Sequence, residues 1–74
     1  MQTGTVLSWN DKKGWGFIKP QDGGEDRFIH YSQIISPDSH KMLRVGDVVN
    51  FYVEMGPNER LQAVRVTVAK KAVA

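Results

Sequence analysis

Short runs of β-branched and aromatic residues recur along the chain, separated by Gly, Asp, Asn and Pro. This pattern is typical of an all-β domain, because strands alternate their side chains between two faces and tight turns need residues that accept positive φ. It predicts five strands and one short helical turn. The predicted strands are Thr3–Asn10, Trp15–Lys19, Arg27–Tyr31, Val48–Met55 and Leu61–Ala69, and the turn lies near Ser32–Ile35.

Closure of these strands into a barrel follows from their number and connections. Five strands with one long connection, Ser32–Val45, cannot bury both faces of a flat sheet. An antiparallel barrel buries one face and removes the exposed edges. The residues expected to face inward are Val6, Ile18, Ile29, Val49, Phe51, Val53, Val64, Val66 and Val68.

Large rings occupy positions opposite the aliphatic residues in the second and third strands. Phe17 precedes Ile18 and Phe28 precedes Ile29, so an inward Ile puts each Phe on the outer face. Trp15 and His30 fall on that same outer face. An aromatic patch facing solvent indicates a binding partner. Flat rings flanked by Lys and Arg suit unpaired nucleic-acid bases, which offer a π-face and a phosphate at every step.

The composition of the 74 residues narrows the class of protein. There is no cysteine, which excludes disulfides and thiolate metal sites, and two histidines alone make a weak case for a metal. A net charge of +2 is too small for binding that rests on charge alone. No apolar run is long enough to span a membrane and the N-terminus lacks the pattern of a signal peptide, so we expect a cytoplasmic protein. We also expect that it needs no cofactor.

Two motifs resemble those of a known family. Lys13–Ile18 and Phe28–Ser32 are similar to the two ribonucleoprotein motifs of the cold-shock domain, a five-stranded OB-fold barrel that binds single-stranded RNA and DNA. The likeness continues through Thr3–Val6, Asp22-Gly23, Gly46–Phe51 and Gln62-Ala63, and so covers nearly the whole chain. We therefore expect an OB-fold domain over residues 1–69, followed by a flexible C-terminal tail at 70–74.

The first strand departs from the family pattern. Most cold-shock domains carry Lys-Trp-Phe-Asn where this chain has Leu7-Ser8-Trp9-Asn10, so Ser8 stands at the position of the principal exposed Trp. His40 stands where many relatives have an aromatic residue, and Arg27 replaces a usual aliphatic one beside the rings.

The candidate nucleic-acid-binding residues combine the rings with nearby cations. If Val6 points inward, Trp9 shares the outer face with Leu7, and the alternative is a partly buried ring at the edge of the barrel. Gly14 and Gly16 are expected to keep the rings clear for a ligand. The candidates are Trp9, Lys13, Trp15, Phe17, Arg27, Phe28, His30, Tyr31, His40 and Arg60.

We expect a binding module that holds about six nucleotides of single-stranded RNA or DNA with little sequence preference. The resemblance implies an RNA chaperone that regulates transcription or translation, with a role in the stress response. A triad of Ser32, His30 and Asp26 can be drawn, but a face of flat rings offers no cleft and no oxyanion hole, so we expect no enzyme activity.

The expected partners are single-stranded RNA and DNA. We expect no binding to a membrane or to a small-molecule substrate. We expect a monomer, and strand exchange through Ser32–Val45 remains an alternative. A second hypothesis is a protein-interaction or dimerisation module, in which Leu7 and Trp9 form an apolar interface and nucleic-acid binding is weakened.

Overall fold

Five strands form the wall of a closed barrel in the computed structural model, which describes residues 1–36, 42–56 and 59–72. The strands are β1 (Gln2–Asn10), β2 (Trp15–Pro20), β3 (Arg27–His30), β4 (Val48–Met55) and β5 (Leu61–Lys70). A 3₁₀ turn, Tyr31–Gln33, follows β3. The predicted all-β barrel is confirmed, and each strand boundary lies within one residue of its predicted place.

Strand order around the barrel is β1-β2-β3-β5-β4. Every neighbouring pair is antiparallel except β3 and β5, which pair in parallel at Phe28 and Gln62. The barrel is therefore antiparallel, as predicted, except at this one pair. The strand directions explain this pair. β3 and β5 both run in the same direction as β1, because they are antiparallel to β2 and β4, which are themselves antiparallel to β1.

The hydrophobic core fills the barrel and includes residues that the strand pattern did not indicate. Ile34 and Leu43, from the long connection, are 3% and 1% exposed and pack against the inward-facing residues of the strands. Val53 is only partly buried, and Val68 is 37% exposed although it was expected inside. The core cluster consists of Val6, Ile18, Ile29, Ile34, Leu43, Val49, Phe51, Ala63 and Val66.

A bulge in β5 explains why Ala63 belongs to the core cluster and Val64 does not. Asn50 pairs with Thr67 and Tyr52 with Val64, so β5 holds one extra residue between these pairs. Arg65 lies there with a φ of 51°, in the left-handed region. The extra residue reverses the alternation. Val64 is buried on the Tyr52 side of the wall, and the prediction that it faces inward with Val66 is wrong.

A buried carboxylate connects the start of β4 to the end of the chain. Asp47 accepts hydrogen bonds from the backbone N–H of Arg44 at 3.0 Å and of Ala72 at 2.7 Å. β5 runs through Lys70, one residue into the segment predicted as a tail. No helix in the described part of the chain is long and apolar enough to cross a membrane.

Candidate nucleic-acid interface

The outer face of β2 and β3 carries a group of rings, which we call the ring face: Trp15, Phe17, Phe28, His30 and Tyr31. Phe17 pairs with Phe28 and Trp15 with His30 across the two strands, so these four side chains point to the same side. Ile18 and Ile29, on the opposite side, are completely buried. The predicted alternation is confirmed in both strands.

Three rings of this face brace one another. The ring centres of Trp15 and Phe17 are 5.8 Å apart and those of Phe17 and Phe28 are 6.0 Å apart, both edge to face. Trp15 and Phe28 lie 5.9 Å apart at an interplanar angle of 32°. Such pairs contribute about 0.5–1.5 kcal/mol each beyond burial. The rings are therefore held in place before any ligand arrives, while each stays partly exposed.

Tyr31 and His30 extend the ring face at the end of β3. Their ring centres are 4.6 Å apart, and Tyr31 is 48% exposed. The Nδ1 of His30 accepts from the backbone N–H of Ser32 at 3.3 Å and lies 2.8 Å from its hydroxyl oxygen. An accepting Nδ1 fixes the orientation of the ring, and the opposite ring nitrogen, Nε2, has no hydrogen-bond partner in the described part of the chain.

Gly14 and Gly16, which flank Trp15, were expected to keep the rings clear for a ligand, but both lie in close contact with other parts of the protein. Gly14 has a φ of 73°, and a Cβ there would lie 2.6 Å from the Tyr31 ring. Gly16 points inward, where a Cβ would collide with the Ser8 carbonyl oxygen of β1. Their absent side chains let Tyr31 and β1 approach closely. Clearance for a ligand is not the reason at Gly16.

Trp9 lies on the inner side of the wall because β1 contains a bulge. Val6 pairs with Ile18 and Ser8 with Phe17, so Leu7 is an extra residue on β1. Trp9 then pairs with the inward Gly16 and packs against the core cluster. The expectation that Trp9 shares the outer face with Leu7 is wrong, and the alternative of a partly buried ring describes its place.

The candidate cations are dispersed around the barrel. Lys13 is exposed in the turn before Trp15, at one end of the ring face. Arg27 pairs with the inward Ile18, away from the rings, and its Nε is buried without a partner among the described residues. Arg60 is exposed just before β5. His40 lies outside the described residues.

The comparisons with known proteins agree with this geometry. The family model named the 'Cold-shock' DNA-binding domain matches residues 2–69. The chain belongs to the cold-shock domain family. Nucleic-acid binding is the function that this membership supports, and the predicted resemblance is confirmed.

Similar proteins and a solved structure match most of the chain. It is 44% identical over 72 residues to the cold shock-like protein CspD of Escherichia coli strain K12, spanning 97% of this chain and 96% of that protein. It is 50% identical over 64 residues to Glycine-rich protein 2 of Nicotiana sylvestris, of which it spans only 29%. The solved structure "drosophila Unr CSD456" matches 99% of this chain and 28% of that one, with a TM-score of 0.74 at 25% identity.

Two outer-face positions of this cold-shock domain were not among the sequence-based candidates. Ser8 pairs with Phe17 and presents a hydroxyl where a larger ring would extend the ring face. Lys19 follows Phe17 by two residues on β2 and shares its face. The period of two could have identified Lys19, since it is the same rule that identified Phe17.

Proposed function

We propose that this cold-shock domain binds unpaired stretches of RNA or DNA by stacking bases on the ring face, with little sequence preference. The observation that carries the proposal is the arrangement of Trp15, Phe17 and Phe28, whose centres lie within 6.0 Å of one another on one outer wall. Aromatic side chains accept any base, because every base has a π-face.

The energy of binding comes mainly from stacking. Each stacked base contributes about 1–3 kcal/mol, as measured by alanine substitution. Five rings accommodate about five nucleotides, toward the lower end of the roughly 4–16 per OB fold. Because the rings already brace one another, little side-chain freedom is lost on binding.

Charge makes a smaller contribution. Lys13 is exposed at one end of the ring face, so a strand that crosses the rings meets a cation there. Two to four phosphate contacts at about 0.7 each predict a log–log salt slope of roughly −1.5 to −3. This slope is shallow for a nucleic-acid-binding protein.

Duplexes are excluded by the same geometry, since paired bases are already stacked on each other. A protein that binds only the open state shifts the equilibrium of an RNA hairpin by mass action, without ATP. We therefore propose that it serves as an RNA chaperone in the cytoplasm and regulates transcription or translation under stress.

Catalysis is not part of the proposal. Asp26 precedes β3 and His30 ends it, so their Cα atoms are four extended steps, or about 13 Å, apart. The Nδ1 that a carboxylate would orient is already bonded to Ser32. The drawn triad of Ser32, His30 and Asp26 therefore does not assemble, and we propose a binding protein.

The interface hypothesis is not favoured. It required Leu7 and Trp9 to form one exposed apolar face, whereas Trp9 packs against the core and only Leu7, the extra residue of the β1 bulge, stays exposed. We propose that the protein is a monomer.

Tryptophan fluorescence tests the proposal, because the two Trp residues lie on opposite sides of the wall. Single-stranded oligothymidylate should quench the wild-type protein, and Trp9→Phe should retain that quenching since Trp15 remains on the ring face. Trp15→Phe should lose most of the quenching while still binding in a calorimetric titration.

A duplex of the same length is the ligand control and should quench neither variant. Quenching that disappears in Trp9→Phe and persists in Trp15→Phe would contradict the proposed face. Absence of binding to any single strand would overturn the function itself.

A further inference from the structure

A groove on the outer wall begins where the ring face ends. It encloses about 420 Å³ and is formed by the first half of β1, the end of β2 and the start of β4. Its lining includes Thr3, Thr5, Leu7, Lys19 and Val48. None of these residues was a candidate for nucleic-acid contact.

The groove is continuous with the ring face on both strands. On β2, Lys19 is the next outward residue after Phe17, about 6.6 Å along the strand. On β1, Leu7 immediately precedes Ser8, which pairs with Phe17. A single strand that stacks on Phe17 therefore reaches the groove without turning away from the wall.

The chemistry of the lining suits a nucleotide. Leu7 is 42% exposed and Val48 is partly exposed, and together they offer apolar surface to the flat side of a base. Thr5, paired with both Lys19 and Val48, adds an exposed hydroxyl. The Lys19 ammonium is exposed and makes no ion pair or hydrogen bond with any described residue, so it is free to meet a phosphate.

We propose that this groove is an additional nucleotide subsite, which takes the base and phosphate that follow those stacked on the ring face. The proposal rests on the proposed function, and it assigns the phosphate contact to Lys19 and the base contact to Leu7 and Val48. Its consequence is that affinity depends on oligonucleotide length beyond the number of rings.

A length series with Lys19→Gln tests the subsite. The probes are oligothymidylates of about five nucleotides, which cover the rings alone, and of about nine, which also reach the groove. Lys19→Gln should weaken binding of the longer probe by about 2- to 5-fold, as expected for one exposed charge pair. It should leave the shorter probe unchanged and make the salt slope of the longer one shallower by about 0.7.

Arg65→Gln is the matched control, because it removes one exposed charge on β5, a strand that does not line the groove. It should bind both probes as the wild type does. In ¹H–¹⁵N spectra, the amides of Thr5, Leu7 and Lys19 should shift with the longer probe only.

The outcomes separate the subsite from the proposed function. If Lys19→Gln binds both probes like the wild type, or weakens both probes by the same factor, the subsite is overturned while binding at the rings stands. A concentration-dependent dimer that Leu7→Ser abolishes would show that a second copy fills the groove, and would also overturn it. No binding of either probe to the wild type would overturn the proposed function.

Discussion

Removal of one central ring should separate binding from stability. Phe17 contacts both Trp15 and Phe28 edge to face, so Phe17→Ala removes one stacking surface and two ring pairs. The lost stack lowers the binding free energy by about 1–3 kcal/mol, a weakening of roughly 5- to 150-fold. We expect the upper half of that range, because Trp15 and Phe28 lose their brace.

The stability cost of Phe17→Ala should be moderate. Two ring pairs at about 0.5–1.5 kcal/mol each give roughly 1–3 kcal/mol. A domain of 74 residues has an unfolding free energy of roughly 4–11 kcal/mol, so the variant should remain folded. Thermal melting before the titration verifies this.

The assay is a calorimetric titration with oligothymidylate at fixed salt, and Tyr52→Ala is the control. Tyr52 is likewise an aromatic residue at the surface, 48% exposed, but it lies on β4, away from the ring face. Its removal should leave the affinity unchanged. If Phe17→Ala binds within twofold of Tyr52→Ala, base stacking on the ring face is refuted.

Three further substitutions test the barrel. Phe51 is completely buried, so Phe51→Ala should lower the unfolding free energy by about 3–5 kcal/mol, and an unchanged melting temperature would contradict its place in the core. Gly16→Ala forces a Cβ against the Ser8 carbonyl and should cost about 1–3 kcal/mol or more in denaturant unfolding, whereas wild-type stability would show that β1 can move aside. Asp47→Ala leaves two backbone donors unpaired and should cost about 1–3 kcal/mol, with faster hydrogen exchange at the Ala72 amide; unaltered exchange there would count against the bond.

Simple alternation was enough to predict the ring face. In β2 and β3 the period of two holds without interruption, and Phe17 and Phe28 stand next to the completely buried Ile18 and Ile29. Turn residues marked the strand ends for the same reason, since Gly14 does adopt the positive φ that was expected of the turn before Trp15. These features depend on neighbours in sequence.

Bulges mark the limit of that reasoning. One extra residue at Leu7 moves Trp9 to the inner side, and one at Arg65 separates Val64 from Val66. Neither position carries Gly or Asn, the residues that most readily signal an irregular backbone. The position of a bulge depends on the register with the neighbouring strand, and the paired residues of that strand are not adjacent in sequence.

The alternation of side chains in strands could not predict which residues of the long connection between β3 and β4 pack in the core. Ile34 joins the core because it bridges to Val66 in β5, and Leu43 packs in the same cluster although it belongs to no strand. The burial of both residues depends on closure of the barrel, which brings together residues that are distant in sequence.

The most direct test of the central claim is a ¹H–¹³C spectrum of the aromatic side chains, recorded with and without single-stranded oligothymidylate. Large shifts should appear in Trp15, Phe17, Phe28 and His30, while the buried Phe51 stays in place. If Phe51 or Tyr52 shifts and the rings of β2 and β3 do not, bases do not stack on this wall.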